Sequence, residues 1–396
     1  MPVNPVRAGG VPVHMKRRVR TTTLTAATAA ALSATLVTPA LAAAPAGADG
    51  GRDATRKAIR AAVADGVPGV TVTVRRGHGT WAATAGVGNL RTGKPRSAQD
   101  HYRIASISKT FVATVVLQLE AEGKLSLDDT VEEWLPGVVR GHGHDGRRIT
   151  LRQLLDHTSG IFDYLEDRGF QQTYMTADGF LKHRFDEATP EDLLAIALRN
   201  EPYFEPGASW EYSNTNYVLA AQVIEKATGH AYGDEIKRRI IDPLHLTSTS
   251  VPGDRTTLPK PSSRAYSKLA KTATGPTYDV TELNPSLAYG AGEMVSDSAD
   301  VTRFYSALLR GRLLPPEQLK KMKTTVDATR TYRYGLGLAD VELSCGVHVW
   351  GHAGGITGSH SMAVTTEDGR HSLAVNFNGD WSGSTGAVVE AEFCGR

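Results

Sequence analysis

Three short groups of residues could do chemistry together. Ser106 and Lys109 are separated by three positions at the start of an apolar run, and on a helix residues i and i+3 share a face. A serine hydroxyl is a weak nucleophile until a base takes its proton. A lysine can serve as that base once desolvation or a nearby charge lowers its pKa from about 10.4. At a helix start, Ser106 also sits among free backbone N–H groups that can hold an oxyanion. Tyr212-Ser213-Asn214 follows a Pro206-Gly207 turn and precedes a helix-like run. There a phenol could relay protons and an amide could orient a lysine or a substrate. His352-Ala353-Gly354-Gly355 ends a strand-like run, and glycines there let a substrate backbone approach the strand edge. The Gly355 N–H is then a candidate second oxyanion donor beside that of Ser106. Read singly, each group has a plainer meaning: a helix cap with a surface lysine, a buried Tyr with an Asn cap, a turn between strands. Read in this order, they point to acyl transfer.

The positioning elements can be read from periodicity. Residues 53–65 read as a helix. Val70–Arg75 and Thr80–Val87 read as a hairpin around Gly77-His78-Gly79. Phe111, Val112, Val115, Val116 and Leu119 make one apolar stripe in a helix over Ile107–Glu122, stopped by Gly123. Helices are also expected at Asn216–Thr228 and, capped by Ser296, from about Asp297 to Leu309. The tail turns to strands at Tyr334–Val341, Val347–Gly351, His360–Thr365 and Ser372–Asn378, and a helix near Gly386–Phe393 closes the chain. The expected fold class is α+β. An antiparallel sheet and its helices come from residues 49–110 and 285–396, with a mainly helical lobe inserted over 111–284.

The chain has 396 residues, with 40% hydrophobic and 22% charged, which is a globular composition. Met15-Lys16-Arg17-Arg18, an uncharged run from Leu24 to Ala44 and small-residue sites at Ala40-Leu41-Ala42 and Ala46-Gly47-Ala48 read as a signal peptide over residues 1–48. Met15 is a possible true start. The expected location is therefore secreted, with no stable membrane span. Residues 1–48 hold Arg7, Lys16, Arg17, Arg18 and Arg20 of the 44 basic side chains and no acid, so 39 bases face 42 acids in the remainder. That balance gives no electrostatic case for nucleic acid. Cys345 and Cys394 are the two cysteines, and in an exported chain they are expected to pair. His142 and His144 in a Gly-rich loop are a possible metal pair without an evident third ligand. No metal and no cofactor are called for.

The order S-x-x-K, Y-x-N, H-x-G resembles that of the serine penicillin-recognising hydrolases, in the variant related to class C β-lactamases. Tyr102–Lys109, Gly123–Asp129 and Leu154–Gly160 resemble further family signatures. Tyr334–Leu338, Leu343–Gly346 and Phe393-Cys394-Gly395 are similar to segments of the secreted Streptomyces-type D-alanyl-D-alanine carboxypeptidases. The resemblance implies an antiparallel sheet flanked by helices plus an all-helical lobe, with the site between them. It implies that Ser106 forms an acyl-enzyme, that Lys109 and Tyr212 move protons, and that Asn214, His352 and Gly354 orient substrate. Ser106 and Gly355 would supply the oxyanion hole, and Phe170 and Thr173 would line the substrate. One departure stands out. Ala339, Ala353 and Gly355 occupy positions where those carboxypeptidases carry an arginine and two hydroxyl residues that hold the substrate carboxylate. Thr357, Ser359 and Arg333 are the available substitutes. The expected function is a secreted DD-peptidase acting on D-amino-acid peptides of the peptidoglycan type and acylated by β-lactams. The alternatives are an esterase, β-lactamase or D-aminopeptidase on the same fold and, more remotely, a non-catalytic wall-peptide-binding module. The partners implied are small peptides, esters or β-lactams.

Overall fold

Alternation in the first strand shows how the chain is layered. The computed structural model describes residues 48–270 and 273–395. The export segment read over residues 1–48 lies outside the described residues but for its last position. In β1 (Gly69–Arg76), Val70, Val72 and Val74 point to one face and Thr71 and Thr73 to the other, and all five are buried. Both faces are therefore covered. The valines pack with Ile59 of α1 (Ala48–Ala64) and with Val388 and Val389 of the terminal helix over residues 385–394. The opposite face belongs to a larger core that holds Ala363, Ala374 and Trp350 together with the central helices.

β1 turns into β2 (Gly79–Gly86) as a hairpin, and the remaining strands of the main sheet come from the end of the chain. They are β3 (Val326–Asp327), β4 (Tyr332–Tyr334), β5 (Ala339–Glu342), β6 (His348–Ile356), β7 (Ser359–Thr365) and β8 (His371–Phe377). The order is β2-β1-β8-β7-β6-β5-β4-β3, with every neighbouring pair antiparallel. Val70 opposes Phe377 and Thr73 opposes Ala374, so the first and last strands lie side by side as expected.

The central helices are α2 (Ser108–Ala121), α3 (Thr215–Thr228) and α4 (Ser298–Leu309), and the chain ends in α5 (Thr385–Cys394). Phe111 of α2 stacks on Phe304 of α4 at 3.7 Å between ring centroids, and both are fully buried. Each such ring contributes about 1.5–3 kcal/mol by burial. Short helices and turns fill residues 131–244 around α3.

Three local expectations are corrected. The strand read over Tyr334–Val341 is a hairpin, β4 and β5, because residues 335–338 turn into the core. There Leu336 donates its N–H to Met322, and Gly337 donates to Leu155. Gly337 has φ +67°, and a Cβ on it would lie 2.6 Å from Ala113 and 2.8 Å from the Tyr217 hydroxyl. The cap of α4 is Asp297, whose carboxylate accepts from the Asp300 N–H; the Ser296 hydroxyl turns to Thr249 instead. Strand β6 runs beyond Gly351 to Ile356, because β7 pairs with it throughout, Gly354 opposite Ser361 and Gly355 opposite His360.

Cys345 and Cys394 form a disulfide across a separation of 49 residues, tying the β5–β6 turn to the end of α5. In the chain-entropy picture it adds about 3–4 kcal/mol. His144 donates from Nε2 to the Asn200 carbonyl at 3.0 Å, so that nitrogen carries the proton and is engaged. No group of three or more His, Cys, Asp or Glu side chains suited to a metal occurs among the described residues. No helix among them is long and apolar enough to cross a membrane.

Candidate active site

The nucleophile candidate sits on a constrained turn. Ser106 is half-buried in a single helical turn, Ala105–Ile107, that leads directly into α2. Ala105 is held at φ +49°, a left-handed conformation that costs a non-glycine residue about 1–2 kcal/mol. Two glycines make that turn possible. A Cβ on Gly354 would lie 2.2 Å from the Ile104 carbonyl oxygen, and a Cβ on Gly292 would touch Ala105. Bare backbone therefore packs against the turn from β6 on one side and from the 290–294 segment on the other.

Lys109 is wholly buried, which excludes a surface lysine. Its Nζ lies 3.3 Å from Ser106 Oγ and donates to Asn214 Oδ1 at 2.7 Å and to the Ala291 carbonyl at 2.7 Å. It also lies 4.9 Å from the Tyr212 ring centre and 5.5 Å from that of Tyr217. Burial pushes its pKa down to about 7, against the pull of the Asp163 carboxylate. Neutral Lys109 can take a proton from Ser106 at ordinary pH.

Asn214 is no cap: its side chain makes no bond to the start of α3. It accepts from Lys109 through Oδ1 and donates from Nδ2 to Asp163 Oδ2 at 2.8 Å. Asp163 is itself buried, and desolvation raises its pKa to about 6. Lys109, Asn214 and Asp163 thus form a buried line from the nucleophile into the protein. The Tyr212 hydroxyl pairs with Ser106, and burial holds its pKa well above the usual phenol value. A phenol that stays protonated can donate a proton.

His352 lies on β6, buried, with its ring centre 6.3 Å from that of Tyr212. Burial and the Lys109 charge lower its pKa to about 3, so it is neutral. The tautomer follows from its partners. Nδ1 faces the Ala353 carbonyl and must carry the proton, so Nε2 accepts from the Tyr334 hydroxyl at 2.8 Å. His157 packs on the far side of Tyr212, ring centres 4.3 Å apart. Its Nδ1 accepts from the Ser213 N–H and the Asn216 amide, both at 3.2 Å.

Beyond Gly351, β6 has no partner strand on its β5 side, since β5 begins opposite Gly351 at Ala339. Ala353 and Gly355 are exposed along that stretch, and Ala339 is buried. Gly355 has room: a Cβ there would meet His360 only at ordinary contact, 3.5 Å. Two of the expected substitutes are committed elsewhere. Arg333 is ion-paired with Asp340, and Ser359 Oγ donates to the Arg103 carbonyl at 2.9 Å. Thr357 is half-buried in the β6–β7 turn.

The structure thus brings together Ser106, Lys109, Tyr212, Asn214, His352 and Gly354. Phe170 and Thr173 stand apart from this network. Phe170 is buried in the main core, edge-on to Tyr164 at 5.3 Å, and Thr173 is half-buried on the same short helix, Arg168–Tyr174. Neither is hydrogen-bonded to the Ser106 cluster through its side chain. Asp163, the Ala291 carbonyl, Tyr334 and His157 were not singled out beforehand. No spacing marks the first two; His157 lies inside a segment picked out only by resemblance, and Tyr334 inside one read as a strand and as a family-like segment.

The family model described as Beta-lactamase matches residues 55–389. A crystal structure of a D-stereospecific amidohydrolase from Streptomyces sp. is 57% identical, covering 87% of this chain and 99% of that one, with a TM-score of 0.83. D-amino acid amidase from Ochrobactrum anthropi SV3, complexed with D-phenylalanine, is 28% identical over 87% of this chain and 99% of that one, with a TM-score of 0.75. Penicillin-binding protein 4* of Bacillus subtilis (strain 168) is 30% identical over 303 residues, which is 73% of this chain but 63% of that relative's length. With the family model spanning nearly all of the described residues, the chain belongs to the beta-lactamase family, within the serine hydrolase superfamily that also holds the penicillin-binding proteins.

Proposed function

We propose that this protein is an exported D-stereospecific amidohydrolase that cleaves the amide following a D-amino-acid residue through an acyl-enzyme on Ser106. The observation that carries the reading is Lys109: buried, near neutrality and 3.3 Å from Ser106 Oγ. In acylation Lys109 takes the Ser106 proton, Oγ bonds to the substrate carbonyl carbon, and the Ser106 and Gly355 N–H groups hold the oxyanion. The C–N bond then breaks, and the leaving amine receives a proton through Tyr212. Water, deprotonated through the same pair, hydrolyses the ester and restores Ser106.

The amidase branch is favoured over a DD-carboxypeptidase by what the open edge of β6 lacks. A terminal carboxylate wants charge-assisted donors, and Ala339, Ala353, Gly355 and the occupied Arg333 supply none. An amide substrate makes no such demand. The similarity to a D-stereospecific amidohydrolase and to a D-amino acid amidase supports the same choice.

The test is hydrolysis of D- and L-phenylalanine amide by the mature protein and by Ser106→Ala, with intact-mass spectrometry during incubation with benzylpenicillin. Turnover of the D-amide, absent for the L-amide and for the variant, is expected. Release of D-alanine from a D-Ala-D-Ala peptide with no amide turnover would overturn the reading in favour of a carboxypeptidase. Export is tested by N-terminal sequencing of protein from culture medium, with a start at Ala43 or Asp49 expected.

A further inference from the structure

Glu293 is a carboxyl group buried in the protein, 1% exposed, that the chemistry above does not use. It belongs to the short segment over residues 290–294 that forms the floor of the site. Within that segment the Ala291 carbonyl holds Lys109 Nζ at 2.7 Å, and Gly292 backs Ala105. Met294 N–H donates to Ser108 Oγ at 3.3 Å, and its carbonyl accepts from the Ile104 N–H at 2.9 Å. One pentapeptide thus touches both the base and the turn that carries the nucleophile.

We infer that Glu293 is a positioning residue, which clamps the 290–294 segment to the helical lobe so that the Ala291 carbonyl aims Lys109 at Ser106. Glu293 Oε1 accepts from the Gly290 N–H at 3.3 Å and from the Tyr232 hydroxyl, and the carboxyl also accepts from the Gly253 N–H. Gly290 is the residue before Ala291, so the carbonyl that holds Lys109 is fixed one peptide away from this bond. The clamp reaches the lobe through the helix Tyr232–Ile236. It is walled by Tyr289, whose ring lies 4.8 Å from that of Tyr232, by Glu225 of α3, which accepts the Tyr232 N–H at 3.1 Å, and by Tyr164, whose pKa the Glu293 charge helps raise. Burial pushes Glu293 up to about 7, so it titrates in the range where Lys109 does. The three donors all favour the carboxylate form.

The inference rests on Lys109 activating Ser106, and not on the identity of the substrate. It is tested by the rate of Ser106 acylation by a p-nitrophenyl ester, followed by intact mass across pH, in wild type, Glu293→Gln and Tyr232→Phe. Folding is checked by circular dichroism and thermal melting. Folded E293Q is expected to acylate about 10-fold more slowly at unchanged half-saturating ester. Loss of a firm Ala291 carbonyl contact takes an acceptor from the Lys109 ammonium and disfavours that form. The acid limb of the rate therefore moves to lower pH, a shift that mere loosening of a core would not produce. Tyr232→Phe removes one donor to the clamp and should give the same change, about 3-fold. A folded E293Q with wild-type rate and pH limb overturns the inference. If E293Q does not fold, wild-type behaviour of Tyr232→Phe overturns it. An enzyme inactive on D-amino-acid amides but still slowed in ester acylation by E293Q would sink the amidase reading and leave this one standing.

Discussion

The two walls around Ser106 are built in opposite ways. On the lobe side every donor of Lys109 has a partner, and Asn214, Asp163 and Ala291 are buried behind it. On the sheet side β6 presents Ala353, Gly354 and Gly355, two of them exposed and none with a polar side chain. The first wall is preorganised for proton transfer, where electrostatic arrangement matters most. The second offers backbone and space. Chemistry is thus tightly specified while substrate choice is left to the strand edge, which is consistent with one family hosting several hydrolytic activities.

The largest effect should come from breaking the first wall. Lys109→Met keeps the volume and removes the base, and turnover of the preferred amide should fall by about 1,000-fold or more, with the fold intact by circular dichroism. Wild-type turnover should itself rise with pH through about 7, because Lys109 must be neutral to accept the Ser106 proton. Asp163→Asn is the next step down. The Asp163 carboxylate raises the Lys109 pKa, so its removal lowers that pKa and carries the acid limb of the pH–rate profile downward. An accompanying rate loss of about 10-fold is expected from the weakened hold on Asn214. A limb that moves upward would refute the assignment of Lys109 as the titrating base. The smallest effect is a gain on the second wall. Ala353→Ser with Gly355→Ser restores hydroxyls on the open edge, where Gly355 has space for a side chain. It should raise kcat/KM for a D-Ala-D-Ala peptide by about 5- to 10-fold, as expected for one ordinary hydrogen bond gained on a solvent-exposed edge. No gain would mean that the carboxylate of such peptides does not reach this edge.

The same contrast explains what the sequence disclosed. Ser106 with Lys109 was legible because one helical turn brings i and i+3 together, and Tyr212 with Asn214 because a Pro-Gly turn and a helix frame them. The strands at both ends were legible because β1 and the closing strands carry strong apolar patterns. Asp163 and Ala291 were not, because they reach Lys109 through tertiary packing, one as a lone acid in a loop and the other only through its carbonyl. The hairpin at residues 332–342 read as one strand because Leu336 and Leu338 in its turn are as buried as the strand residues beside them. The strand read over Val347–Gly351 stopped short of Ile356 because glycine is a poor strand former, whereas here bare backbone is what the contact with Ile104 requires.

That contact at Gly354 also dates the site within the folding of the chain. Residues 104–109 are synthesised early, yet the surface that closes over them is β6, which arrives only with the last fifth of the sequence and is pinned from behind by Cys394. Pairings so distant in sequence form late and slowly. A chain still emerging carries Ser106 and Lys109 but no strand edge to present a substrate to them. Its own topology therefore delays activity until the last helix has docked.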